Sequence, residues 1–275
     1  MNFQQLVQLG DQEVILTREL MDIGLLSRRR RCINQNRHEE EIIMRIDDHL
    51  KQWRCPRCTN KISVKSLSFF ADSNLSLVTW IEVINHWVLQ HSLADIKRTT
   101  NLSKTTIGQM LKSLREQCQG YLQDFPIEVG GPGIQVKIEM IKKCPTNNCG
   151  GIVLVKEQGK NYGYLLHNRD QRYVVGQGAE NTAPVREGSM VFARQLFNLK
   201  ANIAHSDAME LFQGNDEPNG HATNWLKERR GIPCSKVGGF VNEYNMRYFI
   251  NQSEEGFADR FMRCVVRSYE DILHF

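Results

Sequence analysis

Trp53-Arg54-Cys55-Pro56-Arg57-Cys58 is a C-x-x-C, whose two thiolates can grip one metal ion from a tight turn. A closed structural zinc site takes four ligands, drawn from thiolate sulfur and imidazole nitrogen. Cys32 offers a third sulfur, although Gln35 stands where a C-x-x-C partner of Cys32 would be. His38 or His49 can complete the set, so the candidate metal ligands are Cys32, His38, Cys55 and Cys58. The competing reading is a pair of reduced thiols that hold no ion. Cys144 and Cys149 form a weaker pair. A thioredoxin-like role is disfavoured, because no strand-then-helix pattern surrounds Cys55.

A second group of residues suits contact with DNA. Ser92 to Arg115 reads as two helices around a corner. Leu93 and Ile96 form the inward face of the first helix, and Asn101 sits at the turn, where a left-handed residue is needed. Leu102 plugs the corner and Ser103 caps the second helix. Ile107, Leu111 and Leu114 recur at helical spacing on the buried side. Lys104, Thr105, Gln109 and Lys112 then point outward, able to touch base edges and phosphates. The alternative is a plain helical hairpin packed on its neighbours.

These groups need a scaffold, and 275 residues suffice for two small modules and one larger domain. Residues 1–27 carry apolar positions at helical spacing (Val14, Leu16, Leu20, Ile23, Leu25, Leu26), and 28–70 form a basic, Cys-containing segment. Residues 75–123 are helical in pattern, until Pro126 and Gly130-Gly131-Pro132-Gly133 break it. Apolar runs at 134–141, 152–156 and 162–166 read as strands, with a further candidate at 189–199. Helix returns over 240–250 and 257–273, the latter within a C-terminal segment 251–275. The net charge of +4 is too mild to imply a nucleic-acid partner by itself. Its distribution says more: Arg28 to Arg31, Arg54, Arg57, Lys61 and Lys65 gather in the first quarter, as phosphate contacts or as a solvated run. No apolar run is long enough for a membrane span, and no secretory signal is legible, so a nuclear or intracellular, non-secreted protein is expected.

Five segments together resemble the Merlin-type DDE transposases, eukaryotic relatives of a bacterial insertion-sequence family. They are Val136-Lys137-Ile138-Glu139-Met140; Lys61 to Phe70, ending in Ser68-Phe69-Phe70; Leu75 to Trp80; Gly220-His221-Ala222-Thr223-Asn224-Trp225-Leu226-Lys227; and Phe240 to Arg247. The resemblance covers roughly residues 30–250. It implies an α/β fold with an RNase H-like domain over 127–250, preceded by a helix-turn-helix module and a small zinc-binding knuckle. It further implies double-stranded DNA as partner and a two-Mg²⁺ strand-transfer site held by three carboxylates. Carried over residue by residue, those acids are Glu139, Asp207 and Glu228.

This chain departs from the family pattern. Lys137 and Met140 stand where acids are usual, Glu139 replaces an Asp, and Leu226 occupies the strict position of the third acid. The expectation is therefore a DNA-binding protein with a degraded triad, its catalytic fold kept as scaffold or homodimer surface. An active Mg²⁺-dependent nuclease and a scaffold that binds no DNA are the alternatives.

Overall fold

The computed structural model describes residues 2–34, 38, 40–47, 51–125, 127–143, 151–160, 163–168, 174–175, 182–183, 189–193, 218–228, 232–250 and 256–273. It is a mixture of helix and sheet in two compact units, Met1–Gln117 with Glu255–Phe275, and Cys118–Glu254. None of the described helices is long and apolar enough to cross a membrane.

The first unit begins with α1 (Phe3–Gln8), whose Asn2 and Gln5 form a reciprocal capping box, and α2 (Glu13–Asp22). Leu16, Leu20 and Met21 bury one face of α2, whereas Val14, read as part of the same apolar stripe, is 40% exposed. Three short strands follow, a feature not legible in the polar 28–70 segment: β1 (Arg45–Asp47), β2 (Gln52–Arg54) and β3 (Lys61–Ser63). They form an antiparallel sheet in the order β1-β2-β3. Helix α3 (Leu77–Val88) is capped by Ser76 and buries Leu77, Trp80, Ile81, Ile84 and Trp87. The Trp87 ring lies 5.2 Å from Phe257 and 4.8 Å from Phe261 of α8 (Phe257–Leu273). Asp259 of that helix accepts the Phe3 backbone N–H at 2.6 Å, so both chain ends build one core.

Helices α4 (Leu93–Thr100) and α5 (Lys104–Asp124) meet at a three-residue corner. Ser92 caps α4 by accepting from the Asp95 N–H, and Ser103 caps α5 by accepting from Thr106 at 3.1 Å. Between them Asn101 is left-handed (φ 55°, ψ 19°), and its N–H closes on the Lys97 carbonyl at 3.0 Å. Ile96, Ile107, Met110, Leu111 and Leu114 are buried, but Leu93, expected inward, is 37% exposed. Leu93 is the first residue of α4, at the open end of the helix, whereas Ile96 lies one turn further in. Because a β-branched residue resists the left-handed region, Asn101→Val should destabilise the chain by about 1–2 kcal/mol. Asn101→Gly should stay within about 0.5 kcal/mol of wild type in urea melts. Equal stabilities for the two variants would show that the corner relaxes.

The second unit is organised by a four-stranded sheet in the order β6-β5-β4-β9. Strands β4 (Gln135–Lys143), β5 (Gly151–Glu157) and β6 (Tyr164–Asn168) run antiparallel, and β9 (Met190–Ala193) returns parallel beside β4. A separate parallel pair joins β7 (Val174–Val175) and β8 (Thr182–Ala183). Ile152 to Lys156 are all buried, so β5 is covered on both faces. On one face Ile152, Leu154 and Leu165 pack with Ala222, Trp225 and Leu226 of α6 (Pro218–Glu228) and with Val241 and Tyr244 of α7 (Cys234–Tyr244). A π-helical segment, Asn245–Ile250, continues α7.

The glycine-rich lead-in to β4 is held by close approach. Gly130 has φ +87°, and a Cβ there would fall 2.4 Å from Ser189 Oγ and 2.7 Å from Val136 Cγ2. Its N–H donates to the Glu157 carboxylate, and the Gly131 N–H donates to Ser189, each at 2.9 Å.

Candidate metal centre and nucleic-acid interface

The small sheet brings together residues that are far apart in sequence. Arg31 bridges Ile43, the Cys32 N–H donates to the Ile42 carbonyl at 2.9 Å, and Met44 N–H to Arg30 at 2.7 Å. That antiparallel contact presents Cys32 to the loop between β2 and β3, where the Cys55 N–H closes on the Asn60 carbonyl at 3.1 Å. Cys32 Sγ lies 3.6 Å from Cys58 Sγ, and Cys55 Sγ lies 3.5 Å from His38 Nε2. All four ligand atoms fall within 4.8 Å of one another.

A tetrahedral zinc ion with bonds of about 2.3 Å to sulfur and 2.0–2.1 Å to nitrogen places sulfurs about 3.8 Å apart and sulfur and nitrogen about 3.6 Å apart. The donor set and its spacings therefore fit, and the cluster can hold a structural metal such as zinc. Among the described residues no other group of three or more His, Cys, Asp and Glu side chains converges in this way. His49, Cys144 and Cys149 lie outside the described residues.

The electrostatics of the cluster are those of crowded thiolates. Burial opposes ionisation of Cys55, but the Arg57 and Cys58 N–H groups and the Cys58 and Cys32 side chains outweigh it and bring its pKa to about 6. At Cys58 the Asn60 N–H favours the thiolate, yet burial and the Cys55 and Cys32 sulfurs prevail and push that thiol up. The Cys55 thiolate forms readily while Cys58 resists ionising beside it, a tension that a bound cation removes.

Comparison of the chain with protein-family models, curated proteins and solved structures yields no match.

On α5, Lys104, Thr105, Gln109 and Lys112 are all exposed. Lys112 makes an i,i+4 ion pair with Glu116 at 3.3 Å, both side chains more than half exposed, a contact weak enough to open for a phosphate. The basic first quarter is less open than its composition suggests. Arg28 is tied to Asp22 and the Met21 carbonyl, Arg30 is buried, Arg31 pairs with Glu41, and Lys65 donates to the Ser73 and Leu75 carbonyls.

Strand register supplies a cationic row that sequence reading missed in part. Arg45 stands opposite Arg54, and Arg54 opposite Lys61, so the three share one face of the small sheet. Ile46, Trp53 and Ile62 line up on the other face. Arg54 is paired with Asp47 at 3.0 Å, while Arg45 and Lys61 are exposed and have no ion pair among the described residues. Arg45 gave no sequence signal because its neighbours are set by pairing across strands.

Of the three acids carried over from the family, only Glu228 has a described side chain. Glu139 lies in β4, paired with Leu154 of β5, one residue past the last pairing with β9. Asp207 is outside the described residues. Glu228 is exposed at the end of α6 and favours the charged form of His221, whose pKa burial nonetheless lowers.

Proposed function

We propose that this chain is a transposase-derived, DNA-binding protein of the Merlin type, with a degraded catalytic site. The observation that carries the reading is the exposed polar face of α5, which follows a left-handed corner at Asn101 and a serine cap at Ser103. Such a helix, anchored by Ile107, Leu111 and Leu114, leaves Thr105 and Gln109 to meet base edges and Lys104 and Lys112 to meet phosphates. The pair α4–α5 is thus read as a helix-turn-helix. The Arg45–Arg54–Lys61 row adds phosphate contacts, and a zinc ion at Cys32, His38, Cys55 and Cys58 would hold the strands that carry it.

Support for an RNase H-like second unit comes from the sheet order, in which a three-strand antiparallel meander is followed by β9 parallel to β4. Mg²⁺ bound by Glu139, Asp207 and Glu228 would activate a water or 3′-hydroxyl for attack at phosphorus. Lys137 and Met140, beside Glu139, take the place of the acids that the family carries there, so the unit is assigned a scaffold or dimerisation role.

The test is binding of the zinc-loaded full chain to random-sequence duplex, with and without added Mg²⁺, read for both retention and nicking. Lys104→Ala with Lys112→Ala should reduce the slope of log affinity against log salt by about 2, and affinity at 0.15 M salt by about tenfold. Wild-type protein that retains no duplex at low salt would sink the proposal. Mg²⁺-dependent nicking lost in Glu139→Ala would replace it with an active nuclease.

A further inference from the structure

The connection between α3 and α4 holds two histidines in contact. Gln90 is left-handed (φ 59°), and the chain turns there so that the His91 N–H donates to the His86 carbonyl at 3.0 Å. That backbone closure sets His91 over the last turn of α3. His86 Nδ1 and His91 Nδ1 are 2.7 Å apart, with the rings 4.9 Å between centres. His86 Nε2 lies 2.7 Å from the Thr99 hydroxyl on α4.

One tautomer of His86 suits both of its contacts. Thr99 Oγ1 also lies 3.2 Å from the Asp95 and Ile96 carbonyls, either of which can take its proton. With the proton there, Thr99 accepts from His86 Nε2–H, which leaves a lone pair on His86 Nδ1. In the neutral pair His91 Nδ1–H donates to that lone pair. A nitrogen whose ring partner is fixed by a hydroxyl is the arrangement of an oriented metal-ligating imidazole.

We propose that His86 and His91 form a second divalent-metal site, separate from the cysteine centre, which clips the α3–α4 connection. The ion takes one Nδ1 from each ring, the His91 Nδ1 proton leaves to solvent, and water fills the remaining positions. Imidazole pairs suit zinc, nickel and copper(II) over magnesium or calcium. At metal–nitrogen bonds of about 2.0–2.1 Å in a tetrahedron the two nitrogens stand about 3.3 Å apart. His91 is exposed on the turn, so its ring can swing outward by the difference. Burial and the His91 ring lower the His86 pKa, while the carboxylates facing the pair, Glu82 and Asp95, favour its charged form; Asp95 is itself paired with Arg98. The site does not depend on DNA binding.

Calorimetric titration of Ni²⁺ into full-length protein already saturated with zinc at the cysteine centre tests it. Wild type should take up a further equivalent, and His91→Asn should lose it. Thr99→Val, which keeps both ligands and removes only the orienting hydroxyl, should weaken it by about 10–100-fold. The proposal is overturned if wild type binds no further equivalent, or if His91→Asn binds it unchanged.

Discussion

Cys55→Ser should release the metal from the cysteine centre and unfold the small sheet with it. The strands β1, β2 and β3 are three residues each, too short to persist by their own ladder. Their apolar content is slight: Trp53 is buried, while its cross-strand neighbours Ile46 and Ile62 are only half-buried. In small zinc-dependent domains the ion supplies about 10–16 kcal/mol of apparent binding free energy, far more than such a sheet can contribute. The expected result is a fall from one tightly held zinc per chain to none, with the Trp53 emission shifting toward that of an exposed indole. Chelation of wild-type protein should give the same shift, reversed by added zinc. Cys264 offers the control, since burial pushes its thiol up to about 11 and it lies outside the cluster. Zinc content that survives Cys55→Ser but not Cys264→Ser would exclude the assigned ligand set.

Asn245→Ala should loosen the second unit at the outer strand of its four-stranded sheet. Asn245 is fully buried, and its amide accepts from the Leu165 N–H and donates to the Leu165 carbonyl, each at 2.7 Å. The side chain thereby makes, on the side of β6 away from β5, the two bonds that a neighbouring strand would make there. Alanine leaves a buried donor and a buried acceptor unpaired, at about 1–3 kcal/mol each, so about 2–5 kcal/mol together. Asn245→Asp keeps the shape but loses the donor, and should be no better than alanine. Because the chain has two units, one global unfolding energy is a poor readout. Amide exchange at Leu165 reports the local effect, and its protection should drop by about two orders of magnitude or more. Unchanged protection would mean that another group satisfies the β6 edge.

What the sequence determined by itself was whatever depends on neighbours within a few residues. The strands near 134–141, 152–156 and 162–166 and the helices over 75–123 and 257–273 follow from apolar period and from Ser76, Ser92 and Ser103 at the caps, and the structure forms them there. The Cys55–Cys58 turn was legible for the same reason, as was the outward set on α5. In the segment resembling a late family helix, Glu243 and Arg247 are one helical turn apart, and they form a buried ion pair at 3.0 Å. The tertiary structure decided what depends on chain closure. It brought Cys32 and His38 beside the Cys55–Cys58 turn, through the approach of the Arg31–Ile43 bridge to the β2–β3 loop. It tied down Arg28, Arg31 and Lys65 while leaving Arg45 open, because register and packing, not composition, settle which cations face water. It placed His91 on His86 through one left-handed residue, and it set Asn245 against β6, 80 residues away. Such pairings are made by long loops, whose closure carries no local periodicity for a sequence to display.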